Sequence, residues 1–230
     1  MSDNMLTERQ KQILGLVMDE YIRTAEPVGS VMLAEKSNLG ISGATVRNEL
    51  RLLEELEYLT HPHTSAGRIP TEKGYILYRE EFIREEELEE KCRRDLEVIA
   101  HAEMDEKQKK KFFAKFLAEA THLAVILVQE KNSLYYTGIT NLLAQPEFKE
   151  YESTLSVSSL FDSCEDILEE MYELAEEKSI LIGSENPLSP VCTTLVCPIA
   201  NDGILLLIGP MRMNYSKNKA LLEAVKKYLE

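Results

Sequence analysis

The stretch Ser42-Gly-Ala-Thr-Val-Arg-Asn-Glu-Leu-Arg-Leu-Leu-Glu-Glu-Leu56, followed shortly by Pro62-His-Thr-Ser-Ala-Gly-Arg-Ile-Pro70, decides the fold. Ser42 is a good N-cap, because its hydroxyl can accept from the unpaired amides of a first helical turn. On a wheel of about 100° per residue, Val46, Leu50, Leu53, Leu56 and Leu52 gather on one side. Ala44, Arg47, Asn48 and Arg51 fall on the other. The second segment carries Pro62, Gly67 and Pro70 and cannot continue a helix. It reads as a tight two-stranded ribbon with its tip near Thr64–Gly67. A capped helix followed by a basic hairpin has the form of a helix-turn-helix with a wing.

Upstream, Thr7 caps a first helix, and Glu8 in its first turn suits the helix dipole. Ile13, Leu14, Leu16, Val17, Tyr21 and Ile22 recur at helical spacing. Glu26-Pro-Val-Gly-Ser30 is a break, with Ser30 capping a short second helix through Lys36. Asn38-Leu-Gly-Ile41 is a turn in which Gly40 can take a positive φ. The third helix is expected from Ser42 to about Tyr58. A fourth is expected to start at Thr71 and extend through the charged run 79–97.

From Leu123 the pattern changes. Leu123–Val128 and Leu134–Ile139 read as strands around a turn at Lys131-Asn-Ser133. Residues 160–177 read as a helix with a stripe of Leu160, Phe161, Ile167, Leu168, Met171 and Leu174. Ser179–Ile182, Val191–Val196 and Gly203–Ile208 read as strands, the last two joined by a hairpin at Ala200-Asn-Asp-Gly203. Tyr215–Leu229 reads as a closing helix. The fold class is therefore α+β, with a mostly antiparallel sheet in the C-terminal half. Three regions follow: 1–79, a winged-helix DNA-binding domain; 80–122, a helical linker and candidate dimerisation segment; and 123–230, a small α+β domain.

The outer face of the third helix has the chemistry of base readout. Arginine can bond guanine O6 and N7 together, and asparagine can do the same to adenine N6 and N7. Gly43 and Ala44 allow close approach, and Ser42 with the first-turn amides suits a phosphate. An arginine on a small-residue wing tip fits the electronegative floor of a minor groove. Against this stands a simpler reading, in which Arg47 and Arg51 pair with Glu54 or Glu55 on their own helix.

The net charge of −14 argues against a nucleic-acid partner, but its distribution does not. Residues 1–79 hold 9 Lys+Arg against 11 Asp+Glu, whereas residues 80–230 hold 17 against 29. Charges separated by more than roughly 8 Å are largely screened at physiological salt, so the acidity of the C-terminal half leaves a local basic face effective. No apolar run approaches the roughly 20 residues of a membrane span. The N-terminus has no basic region followed by an apolar one, which predicts a cytoplasmic protein with no secretory signal. Cys92, Cys164, Cys192 and Cys197 are scattered and expected to be reduced. His61 and His63 lack an evident third ligand, and Cys192 and Cys197 should lie on opposite strand faces, so no metal is expected. No Walker loop, GxGxxG, HExxH or GxSxG is present, so neither a cofactor, a catalytic residue nor an enzyme is expected.

The chain resembles a known family. Leu6-Thr-Glu-Arg-Gln-Lys-Gln-Ile-Leu14, Glu26-Pro-Val-Gly-Ser30, Ser42-Gly-Ala-Thr-Val-Arg-Asn-Glu49 and Pro62-His-Thr-Ser-Ala-Gly-Arg-Ile-Pro-Thr71 are similar to HrcA, the bacterial heat-inducible transcription repressors. So are Gly138-Ile-Thr-Asn-Leu-Leu-Ala-Gln-Pro-Glu-Phe148, Ile182-Gly-Ser-Glu-Asn186 and Ile208-Gly-Pro-Met-Arg-Met-Asn-Tyr215. The resemblance implies a winged helix followed by a GAF-like domain that a dimerising insert interrupts. It implies a homodimer on double-stranded DNA with an inverted repeat, repressing chaperone operons, with a chaperonin as a further partner. It carries DNA contact onto Thr45, Arg47, Asn48 and Arg51 of the reader helix, beside the Ser42 and Ala44 contacts read from its first turn. It carries wing contact onto His63, Thr64, Ser65, Gly67 and Arg68. The chain is shorter than the family pattern between the linker helices and Gly138, where part of the GAF-like sheet and most or all of the insert are expected to be missing, which leaves 123–230 as a truncated GAF-like domain. Two other readings stay open: a ligand-responsive winged-helix regulator of another regulon, and a protein-interaction adaptor.

Overall fold

A computed structural model describes residues 6–36, 40–63, 66–129, 133–200 and 203–230. The turn residues Asn38, Leu39, Lys131, Asn132, Asn201 and Asp202, and the wing residues Thr64 and Ser65, lie outside the described residues. The chain divides into two compact units, Met1–Ile83 and Arg84–Glu230.

The N-terminal unit is a winged helix-turn-helix. Its elements are α1 (Glu8–Thr24), α2 (Ser30–Lys36), α3 (Gly43–Glu55), β1 (Leu59–Thr60), β2 (Ile69–Pro70) and α4 (Glu72–Glu81). Thr7 and Gln10 close a reciprocal capping box at the start of α1. Ser42 caps α3 by accepting from the Thr45 amide. Ser30 itself is the first residue of α2, and the carbonyl of Gly29 before it accepts from Leu33. Ile13, Leu14, Val17 and Met18 of α1 pack with Leu33, Val46, Leu50, Leu53, Leu59 and Tyr75. Each such burial contributes at most about 1.5–3 kcal/mol.

α3 ends at Glu55, earlier than the sequence predicts. Glu57 takes a left-handed φ of 64°. The Tyr58 amide then donates to the Leu53 carbonyl and the Glu57 amide to that of Glu54, each at 2.9 Å. This pair of bonds forms a Schellman closure, which turns the chain so that Leu59 enters the core. α4 is also shorter than expected. It stops at Phe82, whose ring stacks on Tyr78, and regular helix resumes only at Glu90.

The C-terminal unit holds α5 (Glu90–His101), α6 (Glu106–Thr121), β3 (Ala124–Val128), β4 (Leu134–Thr137), α7 (Ile139–Leu143), α8 (Tyr151–Ser163), α9 (Leu168–Glu177), β5 (Ile180–Ile182), β6 (Cys192–Ile199), β7 (Gly203–Pro210) and α10 (Tyr215–Leu229). The sheet order is β4-β3-β7-β6-β5, and every pairing is antiparallel. Alternate residues of β3 and β7, including Ala124, Ile126, Val128, Leu206 and Ile208, face Leu142, Phe148, Val157, Leu160 and Met171. The other sheet face packs against α6 and α10. Helices on both faces explain why β7 reads as an unbroken apolar run and is buried along its length. The arrangement is α+β and consistent with a GAF-like domain.

Residues 80–122, expected as a helical linker and candidate dimerisation segment, hold α5 and α6. Phe113, Ala114 and Leu117 of α6 are buried. The helix expected at 160–177 begins at Tyr151 and is broken by a 3-10 turn at Cys164–Ile167. β6 runs on past Val196 and accommodates Pro198, because β5 pairs with β6 only along Thr193–Leu195. Cys192 faces the α7–α9 side, while Cys197 lies near Lys226 and Glu223 of α10.

Candidate nucleic-acid interface

α3 presents Ser42, Ala44, Arg47, Asn48 and Arg51 as exposed residues, with Thr45 half-buried among them. Its buried side, Val46, Leu50 and Leu53, is held by α1 and α2. The Ser42 and Thr45 hydroxyls lie 3.0 Å apart, so the first turn of α3 is ordered by its own side chains. Arg51 pairs with Glu55 one turn on, both ends of the pair being exposed. Among the described residues, Arg47 and Asn48 have no side-chain partner. The simpler reading thus applies to Arg51 and not to Arg47. An exposed pair of this kind is worth at most about 1 kcal/mol, so a phosphate or a base edge can displace it.

The far end of α3 is fastened to the start of α4. Lys73 Nζ donates to the Leu56 carbonyl at 2.8 Å and sits over the Tyr58 ring. The Thr71 hydroxyl donates to the Glu57 carbonyl at 2.6 Å. Both bonds satisfy carbonyls that a helix end leaves unpaired.

The wing follows. β1 and β2 pair through Leu59 with Pro70 and Thr60 with Ile69. A third backbone segment joins them: the Val28 amide donates to the Arg68 carbonyl at 2.8 Å, and the Arg68 amide donates back to the Val28 carbonyl at 2.9 Å. This close approach requires a glycine at position 67. A β-carbon there would stand 2.6 Å from the Val28 carbonyl. His63 is exposed, and its carbonyl accepts from Ala66 across the wing turn.

Arg68 is expected as a wing contact to DNA. Its side chain is 23% exposed and turns back toward α3, with Nη2 2.8 Å from Glu54 Oε2. The same carboxylate, through Oε1, bonds the Nδ1 of His61. The sequence offers Glu54 only as a neighbour of Arg47 and Arg51 and gives no sign of this role. No local pattern could reveal it, because the pairing crosses the turn after α3 and the whole wing.

The HrcA protein C terminal domain family matches residues 81–218, more than half of the chain. A heat-inducible transcription repressor HrcA of Caldanaerobacter subterraneus subsp. tengcongensis is 48% identical over 129 residues. That match takes in 55% of this chain and only 36% of the relative, so the chain spans about a third of that protein's length. The repressor of the same name from Desulfitobacterium hafniense is 25% identical, with 95% of each chain covered. The crystal structure of a hypothetical protein at 2.2 Å resolution superposes with a TM-score of 0.76 at 19% identity, covering 98% of this chain and 99% of that one. The last likeness concerns the fold alone. The family match at residues 81–218, beside the winged helix that precedes it, establishes that this chain belongs to the HrcA family.

Proposed function

We propose that the chain binds double-stranded DNA in a sequence-specific manner and represses transcription of chaperone operons. Arg47, Asn48 and Arg51 read bases in a major groove. Ser42, Ala44 and Thr45 contact the backbone at the start of α3, and His63, Thr64, Ser65 and Gly67 supply the wing. The observation that carries this reading is the exposed Arg47–Asn48–Arg51 face of α3, whose opposite face is buried. A homodimer on an inverted repeat follows from the two-fold symmetry such an operator demands. Curated relatives are named heat-inducible transcription repressors, which supports the heat-shock assignment; a chaperonin is the proposed regulatory partner. Among the described residues no helix is long and apolar enough to cross a membrane. A non-enzymatic role in the cytoplasm fits these properties.

The test is binding of a labelled inverted-repeat duplex, and of a scrambled duplex, across a salt series. Specific binding by a chain of twice the monomer mass is the expected result. Equal affinity for both duplexes overturns the proposal.

A second reading, a ligand-responsive regulator, is favoured by one observation. A groove of about 420 Å³ lies between residues 84–93 and α10, lined by Arg84, Arg93, Lys219 and Lys227 together with Glu85, Glu86 and Glu223. A rise in melting temperature on adding citrate or pyrophosphate, together with altered DNA affinity, would select it.

A further inference from the structure

We infer that Glu54 is the positioning residue of the wing, and that Arg68 serves as its strut rather than as a DNA contact. This rests on the reading of the N-terminal unit as a DNA binder. Three observations carry it. First, one carboxylate is shared. Glu54 receives Arg68 Nη2 at 2.8 Å on one oxygen and His61 Nδ1 on the other. His61 directly follows β1 and Arg68 directly precedes β2, so a single side chain of α3 grips both limbs of the hairpin. Second, the Arg68 guanidinium is committed inward. Its Nε is buried without a hydrogen-bond partner among the described residues, and Nη1 turns toward the Ala66 carbonyl. An arginine extended into a groove would not leave Nε beneath the wing. Third, the pair is only 23% exposed at either end. Charge-assisted bonds shielded to that extent are stronger than surface pairs.

The base-reading helix and the wing are thereby one rigid body in azimuth. β1 and β2 pair through only two residues each, and a ribbon so short has little stiffness of its own. Val28 fixes the Arg68 backbone from one side, but nothing in that bridge sets the wing's distance from α3. Glu54 does. When α3 enters a major groove, the distance from Glu54 to His61 and Arg68 decides where along the adjacent backbone the wing tip lands. Preorganising two contact elements lowers the ordering cost of binding.

The experiment is a double-mutant cycle with Glu54→Gln and Arg68→Gln, read two ways on the full chain. Amide exchange without DNA reports wing order. Competition between specific and scrambled duplex reports readout. The expected result is faster exchange at residues 61–68 in both single variants, with protection of α1 unchanged. Specific affinity should fall about tenfold in each, corresponding to one charged hydrogen bond. The double variant should lose no more than either single, since both remove the same interaction. Glu54→Asp should recover part of the loss. Unchanged exchange in Glu54→Gln overturns the clamp whatever the DNA result. Additive losses overturn the strut and return Arg68 to a direct contact. A wing that loosens without loss of specific affinity overturns the clamp's role in readout. A wild-type chain with no preference for the inverted repeat overturns the DNA reading itself and leaves the exchange arm to judge the clamp alone.

Discussion

Gly67 lies so near Val28 that the two backbones meet with no room for a side chain between them. A β-carbon at position 67 would stand 2.6 Å from the Val28 carbonyl carbon and 2.7 Å from that of Pro27. This contact, rather than DNA, gives the glycine its first duty, and it links the Pro27-Val28 break to the wing. Gly67→Ala must therefore push the wing off the loop between α1 and α2 and strain the Val28–Arg68 bridge. The expected cost is about 1–3 kcal/mol, as for other overpacked sites. Denaturant unfolding of the N-terminal unit checks it; an unchanged midpoint would show that the loop simply yields.

Glu57 offers the opposite sign. It sits at φ 64° without being glycine, and left-handed backbone costs a residue with a β-carbon roughly 1 kcal/mol. Glu57→Gly relieves that strain while loosening the unfolded chain. A net gain of up to about 1 kcal/mol is expected, visible as a rise in the thermal midpoint. The Leu53–Tyr58 and Glu54–Glu57 bonds should persist in the variant, which amide exchange at those positions would show.

Thiol chemistry separates the cysteines. Burial pushes the Cys192 thiol up to about 11. Burial also pushes Cys197 up to about 11. Only the thiolate attacks disulfide reagents. At pH 8 Cys92, which is half-buried, should react first, and the three buried cysteines only on unfolding. The sign of the linkage is fixed by the raised values. The unfolded thiols ionise near 8.5–9 and the folded ones near 11, so the folded state holds the extra protons between. Their contribution is fully present below about pH 8.5 and lost as pH rises toward 11. Stability of the C-terminal unit measured from pH 8 to 11 should fall accordingly; a rise over that window would contradict the burial.

Arg212 pairs with Glu147 and reaches Gln145 at 3.1 Å, tying the segment after β7 to the one after α7. Its side chain is 13% exposed, so removing the acid strands a shielded cation. Glu147→Ala is expected to cost about 2 kcal/mol, less than the 3–5 kcal/mol of a fully buried broken pair, because Gln145 remains. Replacing both Arg212 and Glu147 by Met and Leu should cost less than Glu147→Ala alone. Calorimetry of the three chains would test that order.

The sequence carries local signals faithfully. Thr7, Ser42 and Thr71 mark helix starts because each cap is decided within four residues. Tyr215–Leu229 is legible from end to end, and the structure adds Asn214 as its cap. What escapes is decided at a distance. Nothing between Arg79 and Glu97 forbids helix, yet the chain leaves it at Phe82. The start of α8 is hidden by serines, and its exposed Tyr151 and Leu155 form no inward stripe. In the candidate site, the outward face of α3 follows from its period. The inward turn of Arg68 does not, since its partner lies across the wing.

The two units differ in how far their strands reach along the chain. The N-terminal unit is built from the first 83 residues, whereas the central ladder of the other joins Ala124 to Ile208. During synthesis the winged helix can mature while the sheet still waits for its middle strand. A nascent chain paused before β7 would thus carry a finished reader beside an unzipped, apolar β3, the species most in need of a holdase.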